Sequence, residues 1–215
     1  MANKKIRDKK TDWEFYAQVG IVIVLSSILI YNYLPQSSGM GIVSASSIIP
    51  KGVPAIYGEE LGVTYDDVSP YNQQKADSTI KLLGNIDRAE ELDSTQIQRY
   101  VEILYNMHGG MSCEYCCGAR SIIFEDGKPA CGCAHSYAMR GLTKYLLKYH
   151  GEEFTDEEIL LEMGKWKVLF FPGILEGKAQ VMESVGIEVD YINLTTNKYR
   201  GIEQGKASGS MVGDC

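Results

Sequence analysis

Five of the six cysteines in this 215-residue chain fall between Cys113 and Cys133, so whatever fold forms must either gather these sulfurs or bridge them. The spacing is C-x2-C-C-x13-C-x-C-x-H, made by Cys113, Cys116, Cys117, Cys131, Cys133 and His135, with His108 five residues upstream of the first cysteine. Thiolate sulfur and imidazole nitrogen are the donors that soft and borderline metals prefer. The segment between the two cysteine groups reads Ser121-Ile122-Ile123-Phe124-Glu125, then Asp126-Gly127, then Lys128 to Cys131. A β-prone run followed by Asp-Gly predicts a hairpin. A hairpin would return Cys131 and Cys133 to the neighbourhood of Cys116 and Cys117.

The pattern resembles two zinc-ribbon knuckles, although C-x-C replaces the second C-x2-C and a histidine follows it. Cys133 and His135 fall at the predicted start of a helix, where the dipole favours a thiolate. Met107 and Met111 flank His108, and a thioether beside thiolate and imidazole suits cuprous copper. Zinc suits the same cysteines and histidines and ignores the methionines, which commonly fill core gaps. The candidate metal ligands are therefore Cys113, Cys116, Cys117, Cys131, Cys133, His135 and His108, with copper or zinc as the ion. Other outcomes stay open: structural disulfides, which leave an odd thiol unless Cys215 joins, or a redox-active dithiol. An iron–sulfur cluster has enough cysteines but fits an oxidising exterior poorly.

The N-terminus predicts a membrane anchor. Residues 19–34 read VGIVIVLSSILIYNYL without a charge, and with Tyr16, Ala17 and Gln18 the run reaches about the lower limit for a spanning helix, roughly 17 residues. Trp13, Phe15 and Tyr16 precede it, and Tyr31 and Tyr33 lie at its far end, as interfacial aromatics do. Lys4, Lys5, Arg7, Lys9 and Lys10 place residues 1–18 in the cytoplasm by the positive-inside rule. A cleaved signal peptide ending near Ser44-Ala45-Ser46 and a buried core helix are the competing readings. Residues 35–58, rich in Ser, Gly and Pro, read as a tether, and residues 59–196 as an extracytoplasmic domain. Residues 197–215 read as a flexible tail. The net charge of −7 argues against nucleic acid as a partner.

Within 59–196 the periodicity predicts helices from Ser69-Pro70 to Leu83, with Gly84 as the stop, and from Asp93 or Ser94 to about Tyr105. Others follow from His135 to Tyr149, from the Thr155 capping box through Trp166, and from Leu175 to Val185. Ile187 to Leu194 alternates as a strand. The expected class is mainly α: one transmembrane helix, then a small helical ectodomain with one β-hairpin bearing the Cys/His site. Trp166, Phe170 and Phe171 read as core, Lys144 and Lys148 as a solvated face, and His150 as a helix-end cation.

The run SCEYCCGARSIIFEDGKPACGCAHSYAMRGLTKYLLKYHG, followed by TDEEILLEMGKWKVLFFPG, resembles a group of archaeal and bacterial membrane-anchored Cys/His-rich proteins with a CCG…CGC-x-H block and a WK-x-LFFP stretch. It covers about residues 95–185, through Cys116, Cys117, Gly118, Cys131, Gly132, Cys133, His135, Trp166 and Pro172, and implies no activity. A weaker similarity, through Cys131, Gly132, Cys133 and His135, is to exported CYCGC-type proteins that handle copper. Three functions follow as expectations: a surface metal-binding module, a thiol–disulfide or electron-transfer enzyme, and a structural subunit of a surface assembly with a protein partner.

Overall fold

A computed structural model describes residues 15–25 and 47–213. Residues 15–25 form a helix, α1, with its side chains exposed, inside a unit of its own (residues 1–40). No helix among the described residues is long and apolar enough to cross a membrane, which corrects the predicted transmembrane helix. Residues 26–34 of that predicted span, and Ser44-Ala45-Ser46, lie outside the described residues.

The second unit, residues 41–215, holds the remaining elements: α2 (Gly58–Leu61), α3 (Gln73–Ala89), α4 (Ser94–Val101), α5 (Ala134–Tyr149), α6 (Asp156–Phe170), α7 (Pro172–Ser184) and α8 (Tyr191–Thr195). The helix starts follow the sequence closely. Asp93 caps α4 in a reciprocal box with Gln96, and Thr155 caps α6 in one with Glu158. Pro172 opens α7 at a position whose missing N–H costs nothing. Beyond Val101, α4 widens into a π turn (Glu102–Asn106) and tightens into a 3-10 turn (Met107–Gly109).

α3 and α5 pack closely, and two glycines permit it. Gly141 faces the Leu83 carbonyl so tightly that any Cβ there would collide with it. Gly84, expected to stop α3, instead continues it, because a Cβ would meet that of Tyr137 at 3.2 Å. Inside this interface Arg140 donates to Asp87 at 2.8 Å with both side chains buried, and Lys144 reaches the same carboxylate at 2.8 Å. Removing one partner of such a pair would leave an uncompensated buried charge.

No β-strand or hairpin forms among the described residues. The Asp126-Gly127 turn closes, with Phe124 N–H donating to Lys128 at 2.8 Å, but only an isolated bridge joins Ile123 to Pro129. The Ile122 N–H, which a ladder would pair with the Ala130 carbonyl, is spent on Met111 at 2.9 Å. The predicted strand at 187–194 is replaced by the short α8. Asp190 caps it by accepting from Asn193 N–H, and burial of Tyr191, Leu194 and Thr195 decides its conformation.

The described part of the expected tether is anchored to the core at several residues. Ile48 is fully buried, and Tyr57 donates to Glu162 at 2.8 Å while accepting from Trp166 Nε1 at 2.7 Å. Tyr65 donates to the same carboxylate at 2.5 Å. The expected free tail is largely exposed over residues 204–211 but returns to the core at its end. Val212 is fully buried and its N–H donates to Phe170 at 2.9 Å.

Candidate metal and thiol centre

The centre lies where the 111–133 loop meets the first turn of α5. Asn197 and Arg200, just past α8, hold the loop's backbone. Asn197 Nδ2 donates to Gly109 and Arg120 at 2.8 and 2.6 Å, and Arg200 donates to Ala119 and Gly118 at 3.1 and 2.9 Å. From the other side Arg140 donates to the carbonyls of Cys131 and Ile122 at 2.8 and 3.2 Å. The loop is thus clamped by residues distant in sequence, which is how it keeps a fixed shape without strands.

Cys117 and Cys131 form a disulfide, with Cα atoms 6.7 Å apart. Cys113, Cys116 and Cys133 remain thiols, and their sulfurs all lie within 4.8 Å of one another. Cys113 and Cys133 are buried and 3.4 Å apart, whereas Cys116 is exposed. Three sulfurs bound ~2.3 Å from one ion stand roughly 3.8–4 Å apart, so this group is close enough to hold a metal ion.

Cys133 is the N-cap of α5. Its sulfur accepts from the Ser136 N–H at 3.4 Å and faces the Ser136 hydroxyl at 3.2 Å. The hydrogen bond with the Cys113 thiol, with help from Ser136, holds the Cys133 thiol well below its ordinary value of 9.0, against the opposing effect of burial. The same hydrogen bond, followed by burial, pushes Cys113 up.

His135 is fully buried against Phe170 and Phe171, with ring centroids 4.8 and 5.1 Å away. Its Nε2 lies 2.7 Å from the Val212 carbonyl, which can only accept, so Nε2 carries the proton. Nδ1 is buried without a hydrogen-bond partner. His135 adjoins the thiol group rather than completing it, since no nitrogen joins the three sulfurs within their 4.8 Å reach.

His108 belongs elsewhere. It adopts φ +49° in the turn after α4, with Nε2 3.7 Å from Glu157 at the start of α6. Met111 is buried in the core. Of the seven residues the sequence nominated, three form the free-thiol group, two are consumed in the disulfide, His135 flanks the group and His108 stands apart.

A buried charge network borders the loop and was not anticipated. Lys167 and Lys178 are both fully buried. Lys167 donates to the Thr195 carbonyl at 2.6 Å and lies 3.4 Å from Glu114. Lys178 lies 3.7 Å from Glu114 and 3.9 Å from Glu203. Burial lowers Lys167 to about 8, against the pull of Glu114. In the sequence the signal was a lysine in the apolar run of α6, W-K-V-L-F-F; for Ser136 it was position N3 behind a capping cysteine. Arg140, Asn197, Arg200 and Val212 carried no local signal. Comparison with protein-family models, curated proteins and solved structures finds no match for this chain.

Proposed function

We propose that the chain is a metal-binding protein in which Cys113, Cys116 and Cys133 bind one thiophilic d10 ion, cuprous copper or zinc. The observation that carries this is the mutual approach of three free sulfurs within 4.8 Å, two of them buried. Soft thiolates select these ions over harder ones. Three sulfurs satisfy trigonal cuprous copper alone, while zinc takes a water or a substrate atom as its fourth ligand on the side of exposed Cys116. The adjoining Lys167 offsets part of the negative charge that bound thiolates bring. The Cys117–Cys131 disulfide supports an oxidising, extracytoplasmic compartment, where such bonds persist.

Anaerobic titration of the full chain with zinc, and separately with cuprous ion held by a competing chelator, tests the reading. The expected result is one ion per chain, lost in Cys113→Ser, Cys116→Ser and Cys133→Ser and kept in the Cys117→Ser/Cys131→Ser double variant. Binding that needs Cys117 or Cys131 instead would overturn it.

A further inference from the structure

The disulfide and the thiol group touch. Cys133 Sγ lies 3.6 Å from Cys131 Sγ, which is already bonded to Cys117. Cys131 has no sulfur proton, so this contact is a nucleophile against a disulfide sulfur and not a hydrogen bond. The separation is just beyond the near-attack range of about 3–3.5 Å. The nucleophile is fixed by its place at the N-cap of α5, with the Ser136 N–H and hydroxyl on its sulfur. Between the two cysteines stands only Gly132, with no atoms crowding the side where a Cβ would sit, so the short loop has room to close.

We infer that the disulfide migrates within the chain, and that its position decides whether the metal site exists. The Cys133 thiolate attacks Cys131 Sγ, the Cys131–Cys133 bond forms as the Cys117–Cys131 bond breaks, and Cys117 leaves as the thiolate and takes up a proton. One disulfide is exchanged for another, with no net oxidation and no outside reductant. This rests on the metal reading above, because migration consumes Cys133 and so removes one of the three sulfur ligands. A bound ion in turn occupies the Cys133 lone pairs and blocks the attack. The disulfide isomer and the metal load are then two readings of one equilibrium.

The two states separate cleanly by proteolysis. Arg120 lies between Cys117 and Cys131, and no other trypsin site falls between them except Lys128, which precedes Pro129. A Cys117–Cys131 bond leaves the two tryptic peptides joined; a Cys131–Cys133 bond leaves them apart. The full chain is equilibrated metal-free or with zinc, acid-quenched, alkylated with N-ethylmaleimide and mapped by mass spectrometry without reduction. Zinc retained per chain is measured on the same samples. The expected result is a metal-free population with separated peptides, an intact Cys131–Cys133 bond and alkylated Cys117. Zinc at about a hundred times its Kd should shift the isomer ratio about a hundredfold toward the joined form. Cys133→Ser should give joined peptides alone.

Zinc retained at one per chain with no separated peptides in the metal-free sample overturns the migration and leaves the metal reading standing. Separated peptides that zinc does not suppress, although zinc is retained, overturn the link between the two. Separated peptides with no zinc retained overturn zinc as the ion at this site and the zinc-linked switch with it.

Discussion

The Nε2 of His135 lies 2.7 Å from the carbonyl of Val212, so the last described stretch of the chain is tied to the turn that carries Cys133. His135→Phe keeps the ring and removes this bond. The buried Val212 carbonyl would then lack its donor, costing about 1–3 kcal/mol, read as a lower midpoint in urea. An unchanged midpoint would show that this bond does not hold the Val212 stretch in place.

Arg140 joins the α3–α5 interface to the cysteine loop, since one guanidinium serves both Asp87 and the Cys131 carbonyl. Arg140→Leu leaves the buried Asp87 with Lys144 alone and should cost about 3–5 kcal/mol. It should also free the loop, so that metal affinity falls even under conditions where the variant remains folded by circular dichroism. Stability loss with unaltered affinity would confine Arg140 to the helix interface.

Gly141→Ala should destabilise by about 1–3 kcal/mol or more, because the added methyl meets the Leu83 backbone and the two helices must separate. Helix propensity alone predicts the opposite sign, a gain of about 1 kcal/mol. Thermal denaturation decides between them, and a higher Tm would refute the close approach.

His150 lies at the C-terminal end of α5, with Nδ1 2.8 Å from Glu153 and Nε2 2.9 Å from Glu60. Burial acts to lower its pKa, but the two carboxylates outweigh it and hold the value above 6.5. A group whose folded pKa is raised stabilises fully below its unfolded value and loses that contribution as pH rises through the folded one. Stability should therefore fall as pH climbs above 6.5, by under about 1 kcal/mol because both carboxylates are half exposed. The slope should be absent in His150→Gln.

The helices were legible because their causes are local. Asp93 with Gln96, Thr155 with Glu158 and Pro172 act within one turn, so spacing alone announces them. Gly84 misled because glycine stops a helix only where nothing needs the space, and that need came from Tyr137 of another helix. The 121–131 segment misled because a turn signal is local while a ladder is not. Its backbone groups were claimed by Met111 and by Arg140.

By itself, then, the order of residues determined that this chain is mainly helical and that its sulfur would gather around residues 113–133. Which sulfurs would bond, which would stay free and where each histidine would go was decided only by the folded chain. A thiol's fate depends on distances of a few ångströms to groups such as Asn197, Arg200, Arg140 and Val212, and those distances come from packing between segments far apart in sequence, not from spacing along it.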